Sequence, residues 1–289
     1  MTIVFVVLRI AAGDPARLMN PPGQQEEIIQ LTRERLGTDK PIIEQYLDFL
    51  VGVVQGDLGM SFHGNQAVLG EVLEALPNTM ALAVVTILFS STVALILGIA
   101  AALRPNGLVD RAVLVYVSLA LATPSFWLAI ILVLIFSIRL DWLPAIDMQG
   151  PESFVLPVIT LAVALTPVLI RTIRQSFLET LSDDHVRAAR ARGIPERRVI
   201  LVHGLKVAAL PLITLIGLQA GLVLAGSYVV ESVFNWPGIG KLTLDALAGR
   251  NFPMIQGAVL VAALVFVVVN FVVDMAYAAL DPRIRLGYR

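Results

Sequence analysis

Apolar residues run almost unbroken from Thr79 to Leu103, Ala112 to Ile138, Phe154 to Ile170, Val207 to Val230 and Ile255 to Leu280, with polar stretches between them. Backbone polar groups in runs of this length are satisfied internally only in helices, and the short alternating strands of a barrel are absent. Each run therefore predicts a membrane-spanning helix. A further stretch, Met1 to Ala12, is shorter than the roughly 20 residues needed to cross about 30 Å of hydrocarbon. A first span starting upstream of Met1 accounts for it better than a signal-peptide core, because a basic leader and a small-residue cleavage site are missing.

The polar stretch from Gly13 to Pro77 carries helical signals of its own. Gln24 to Leu36 ends at Gly37, and Pro41 to Gln55 sets Ile43, Tyr46, Leu47, Leu50, Val53 and Val54 at helical spacing before Gly56. Two short helices on the membrane surface are expected, an ordinary packed loop and a docking surface for an extracytoplasmic protein being compatible readings of them. The chain divides into a partial first helix (1–12), an extracytoplasmic segment (13–77) and a core (78–289). Five spans are expected in the core, at about 79–103, 112–138, 154–176, 207–230 and 255–280, with a polar loop over 177–206.

Composition agrees with a multi-pass membrane protein. Hydrophobic residues make up 57% of the 289 and charged ones 15%, and the mean hydropathy is +0.82. That is too apolar for one soluble core. The net charge of -1 gives no sign of nucleic-acid binding, and with no cysteine, disulfides and thiolate metal sites are excluded. His63, His185 and His203 lack metal-ligand spacing. Lys and Arg crowd the segments 104–111, 171–206 and 283–289, whereas the other side has four of its basic residues in one long loop. The basic excess places both termini and the 177–206 loop in the cytoplasm.

The segment Ser182 to Lys206, SDDHVRAARARGIPERRVILVHGLK, is the one strongly polar interruption of the core. Ser182 and Asp183 offer N-cap oxygens, Asp183 and Asp184 suit the positive end of a helix dipole, and Arg190 and Arg192 suit the negative end. Gly193 and Pro195 stop the helix, which should have about three turns. Ala188 and Ala189 at its centre let another protein close tightly around the backbone, while Arg187 and Arg190 reach for partner carboxylates. Lipid would reject such a loop, so it is expected to face a soluble partner that drives the membrane subunit.

HVRAARARG followed by VILVHGLKVAALPLIT resembles the E-A-A-x-x-x-G coupling loop of ABC importer permeases, in the form typical of the dipeptide, oligopeptide and nickel group. AAGDPA, LGTDKPIIEQY, GDLGMSF, TPSFWLA, ESVFNWPGIG and NFVVDMAYAALDPRIR also resemble that group, in its order and spacing, over almost the whole chain. The departures are Arg187 at the motif's Glu position and a later Pro211. The resemblance implies an all-α membrane protein with the six-helix type I ABC importer permease fold, its first helix short or truncated. It also implies a second, distinct permease chain, two cytoplasmic ATPase subunits that carry the ATP and Mg, and an extracytoplasmic substrate-binding protein. The membrane implied is a bacterial or archaeal inner membrane. Asp184, Arg187, Ala188, Ala189, Arg190 and Gly193 are then the ATPase-coupling residues, and the solute is a peptide or similar small molecule.

Other residues have competing readings. PGIGKLT at Pro237 to Thr243 is not a phosphate loop, because Leu242 stands where Ser or Thr is needed and Asn235 where the first Gly is needed. Glu231, Phe234, Trp236, Pro237, Gly238 and Gly240 form either an aromatic belt at headgroup depth or an outer gate, and the resemblance favours the gate. Asn270 and Asp274 share a helical face, and Asp274 is expected to pair with Arg171 or Arg174 rather than to relay substrate or protons. Gln219 either lines the path or bonds a neighbouring helix. Pro124, Pro157, Pro167 and Pro211 are expected to be accommodated by packing.

Two rival classes lack their signatures. An ion-coupled secondary transporter would show repeated halves and a charged midplane site, and Asp274 is the sole intramembrane acid. An intramembrane hydrolase would show a nucleophile with a base, or a metal cluster, inside a span.

Overall fold

The computed structural model describes residues 2–11, 14, 16–17, 20, 23–62, 64, 66–145, 150–199 and 205–280. The side chains of 9–11, 35–36, 185, 197, 205–214, 222, 224–226, 274 and 276–280 lie outside that description. His63, His203, the side chains of His185, Lys206, Pro211 and Asp274, and the DPRIR segment are thus outside it too. Among the described residues the chain is all-α, with one isolated bridge between Met60 and Ala67.

The chain forms two compact units, one from 1–79 with 237–264, the other from 80–236 with 265–289. In the first, the opening helix Thr2–Ala11 has 10 residues, about 15 Å at 1.5 Å per residue. Its Phe5 packs against Tyr46 and Phe49 at centroid distances of 5.2 and 5.6 Å. The two expected outer helices form as Glu26–Leu36 and Ile42–Gln55. Gly37 and Gly56 end them at φ 64° and 77°, a backbone region that glycine enters without a Cβ clash.

The run at Thr79 continues a longer helix, Val68–Leu103, whose 36 residues are longer than the hydrocarbon is thick. Its first turns belong to the smaller unit. There Val68, Val72 and Ala75 pack with Ile239, Ala246, Phe252, Ile255 and Ala258, and Gly257 lets Val68 sit against the backbone of the last helix, Phe252–Leu280.

The larger unit corrects one expectation. Ala112 to Ile138 is not one straight span: helices Leu108–Ala122 and Ser125–Arg139 meet at 101°. Proline has no N–H to continue the ladder and pushes its predecessor out of the helical region, and Thr123 accordingly sits at φ -94°, ψ 115°. After the bend, Val133–Arg139 winds as a π-helix. The Val155–Ser182 helix tolerates an internal Pro167 and buries Leu161, Leu165, Leu169, Ile170 and Ile173. It is followed by the short loop helix Asp184–Ala191 and by Leu205–Val233. Among the described residues, three helices are long and apolar enough to cross a membrane, and the bent pair makes up to four.

Candidate functional site

The loop helix Asp184–Ala191 has 8 residues, nearer two turns than three. Ser182 does not cap it, because its hydroxyl donates to the Glu179 carbonyl at 2.7 Å and closes the preceding helix. The Asp183 carbonyl accepts the first bonds, from the N–H groups of Val186 and Arg187, both at 3.1 Å. At the other end the Gly193 N–H bonds the Arg190 carbonyl at 2.9 Å and the Ile194 N–H bonds the Ala189 carbonyl at 3.3 Å. Gly193 sits at φ 75° with no atom near its missing Cβ, so this paired cap depends on its backbone freedom alone.

The two alanines face different ways. Ala189 is 4% exposed and packs with Val186 and Val199, against which Leu181 and Ile194 lean. Ala188 is only half-buried, and Arg187 and Asp184 are exposed. Of the two alanines expected to let another protein close on the backbone, Ala189 faces the loop's own small core and Ala188 is the more accessible. Arg190 is also engaged at home. Its Nη2 donates to Glu196 Oε1 at 2.7 Å, Nε to Oε2 at 3.2 Å, and Nη1 to the Leu181 carbonyl at 3.4 Å. That fork holds the Glu196 carboxyl below the ordinary carboxylate range. Among the described residues Arg187 pairs with Asp184, at 3.7 Å, with both side chains exposed. Among the described side chains, the outward face thus includes Asp184, Arg187, Ala191 and the half-buried Ala188.

The second predicted group is divided between the units. In the larger one, Asn235 at φ 50° ends the Leu205–Val233 helix, with Asn235 N–H on the Ser232 carbonyl and Trp236 N–H on the Glu231 carbonyl at 2.7 Å. Glu231, Phe234 and Trp236 are buried, and Trp236 meets Phe154 edge-on at 4.6 Å. Both aromatic rings are therefore core side chains, and the belt reading is set aside.

In the smaller unit, Asn78 Nδ2 donates to the Pro237 carbonyl at 2.8 Å, and the Ile239 N–H donates to Thr79 Oγ1 at 2.8 Å. The first N–H of the Ile239–Ala248 helix is thus already taken, and Gly240 is buried just behind it. Pro237 and Gly238 line an open cavity of about 440 Å³ with Glu71, Glu74, Asn78, Lys241 and Asp245. Lys241 Nζ bonds Asp245 Oδ2 at 2.6 Å, which leaves the rim's acidic character to Glu71 and Glu74. Sequence reading missed these residues. The signal available was the pair of acids one turn apart at the polar start of an otherwise apolar helix.

Of the intramembrane polar residues, Gln219 is 4% exposed and donates to the Leu165 carbonyl at 3.1 Å. Asn270 folds back on the Phe266 carbonyl of its own helix at 2.8 Å. Arg174 holds Asp110 and Arg171 is exposed, while the expected pairing of Asp274 with either falls on a side chain outside the described residues. Among the described residues no group of three acidic, His or Cys side chains could hold a metal.

Comparison with known proteins gives a consistent picture. Residues 94–286 match the family described as binding-protein-dependent transport system inner membrane component, and residues 1–83 match that system's N-terminal membrane component. The glutathione transport system permease protein GsiC of Escherichia coli (strain K12) is 38% identical over 98% of this chain and 92% of its own. Its counterpart in Salmonella choleraesuis (strain SC-B67) is 39% identical over the same shares. Among solved structures, the inward-facing MetNI methionine ABC transporter aligns with a TM-score of 0.62 at 17% identity, over 73% of this chain and 96% of that one. An amino acid ABC transporter aligns at 0.52 and 15%, over 74% and 94%. The last two are alike in fold.

Proposed function

We infer the role of this chain from one premise: it belongs to the family of binding-protein-dependent transport system inner membrane components. It is the permease subunit of an ABC importer, a multi-pass membrane protein and not an enzyme, and an ATPase and a substrate-binding protein complete such systems. Ion-coupled transport and hydrolysis are set aside on that ground.

Within that frame, the Asp184–Ala191 helix is the contact with one ATPase subunit, presenting Arg187 and Ala188 while Ala189 and Arg190 hold it in place. The single observation that carries this reading is the loop's own construction. An 8-residue rod is capped at Gly193, backed by its own apolar cluster, and bare on its Asp184–Arg187–Ala188 face. A loop that only joined two spans would need none of this. Arg187 calls for a carboxylate in the receiving cleft.

The Lys and Arg distribution supports cytoplasmic termini, and with that orientation the 440 Å³ cavity faces the binding protein, whose basic groups would meet Glu71 and Glu74. A second, homologous permease chain completes the path. The solute is a peptide or peptide-like molecule, as the name of the GsiC relatives suggests. The chain contains no cysteine, so Arg187→Cys in the assembled transporter gives a clean test. A cross-link to the ATPase subunit is expected, and its absence with a bifunctional reagent in every nucleotide state refutes the contact.

A further inference from the structure

Asp110 and Arg174 meet where two antiparallel helices face each other. Nε of Arg174 donates to Oδ1 of Asp110 at 2.7 Å and Nη2 to Oδ2 at 2.8 Å, a two-point fork that fixes direction as well as distance. The carboxylate is 1% exposed. The Asn106 N–H adds a third bond to it at 2.8 Å, which ties the turn before Leu108–Ala122 to the same point. Farther along, the Tyr116 hydroxyl and Thr166 Oγ1 lie 2.8 Å apart. Between these two ties runs an apolar seam of Val113 and Val117 against Ile170 and Ile173.

A third helix is pinned at the same level. A Cβ on Gly98 would lie 2.8 Å from Ile173 Cγ2 and 3.2 Å from the Ile170 carbonyl, so the Val68–Leu103 backbone rests directly on Val155–Ser182 next to Arg174. Apolar seams tolerate sliding between alternative packings, whereas a buried charge separated from its fork is left uncompensated. Such a pair adds little net stability over apolar packing, and its use is to hold one arrangement.

We propose that the Asp110–Arg174 fork is a clamp that makes the coupling helix drive three helices as one body. The loop helix is fastened to the end of Val155–Ser182 through Leu181 and Arg190. The clamp passes that displacement to Leu108–Ala122 and, through the Gly98 contact, to Val68–Leu103. Asp110 and Arg174 are thus positioning residues, which act through the helices they join. This proposal rests on the coupling-helix reading above.

The test uses the complete transporter in lipid nanodiscs, with spin labels on Leu119→Cys and Val168→Cys, two exposed positions on the clamped helices. The label distance is expected to stay constant between the nucleotide-free and ATP-trapped states, and to differ between them once Asp110→Asn is added. In proteoliposomes, ATP consumed per solute imported should rise roughly fivefold or more in Asp110→Asn, with ATPase subunits still bound. Arg174→Lys, which keeps the charge but loses the fork, should raise it less, and it serves as the comparison if Asp110→Asn fails to assemble. A label distance that changes in the parent protein, or a coupling ratio that the variants leave at the parent value, overturns the clamp. If the Arg187→Cys cross-link forms and the ratio is unchanged, docking stands without the clamp; if no cross-link forms, docking itself is wrong.

Discussion

Asn251 donates its side-chain amide to Ser61 Oγ at 2.7 Å, across 190 residues of chain. Its carbonyl oxygen accepts the Phe62 N–H at 3.1 Å, so one buried carboxamide fastens the segment next to the Met60–Ala67 bridge to the start of the last helix. Asn251→Ala removes both bonds and leaves a backbone N–H without its acceptor, at about 1–3 kcal/mol. A lowered thermal midpoint of the detergent-solubilised protein is expected, together with faster proteolysis near Phe62. An unchanged midpoint would show that water replaces the amide.

The residue just before it predicts a gain. Arg250 occupies the left-handed region at φ 54°, where it closes the Ile239–Ala248 helix with its N–H on the Leu247 carbonyl at 3.2 Å. A non-glycine residue there costs about 1–2 kcal/mol, and glycine's extra freedom in the unfolded chain returns part of that. Arg250→Gly should raise the midpoint slightly. A fall would mean that the Arg250 side chain contributes more than its backbone costs.

Gly193 separates strain from crowding, because no atom lies within 4 Å of its missing Cβ. Gly193→Val should loosen the loop and weaken ATPase co-purification, while Gly193→Asn, tolerated at positive φ, should stay near the parent. Equal losses in the two would point to steric exclusion by the partner instead.

The two alanines should behave differently. Ala189→Leu overfills the loop's small core, at about 1–3 kcal/mol, and should expose the loop to trypsin even in the isolated chain. Ala188→Trp should leave that protease pattern unchanged and still uncouple ATP hydrolysis from import. If Ala188→Trp transports as well as the parent, the outward face has been misassigned.

The Arg190–Glu196 fork gives a pH dependence of definite sign. The folded Glu196 carboxyl titrates below its unfolded value because Arg190 bonds it. Its contribution is therefore present above the ordinary carboxylate range and lost as pH falls through the depressed value. Loop protection, read by hydrogen exchange, should be flat from about pH 6 to 8 and fall below about pH 4. Glu196→Gln should show weaker protection at neutral pH and little further loss on acidification.

Much of this was legible in the chain. Gly37, Gly56 and Gly193 mark helix ends because a left-handed residue without a Cβ clash is a local requirement, written in one residue and its neighbours. The polar loop stands out because its charges interrupt a strongly apolar sequence. Hydropathy also finds every long apolar run, yet it sums over a window and cannot register the 101° bend at Thr123–Pro124 or the π-helical turns after it. The burial of Trp236 against Phe154 escaped for a related reason: an aromatic near a span end has the same local signature in a belt as in a core.

By itself, then, the sequence determined where several helices stop, which segments avoid water, and which short polar rod interrupts the apolar core. These follow from backbone hydrogen bonding, Cβ sterics and transfer energies, which act within a few residues. Only the tertiary structure decided that Ala189 turns inward while Ala188 does not, that Arg190 is spent on Glu196, and that Arg174 serves Asp110. Which face a helix buries, and which charge meets which, depend on neighbours brought close by packing, from parts of the chain that no local window contains.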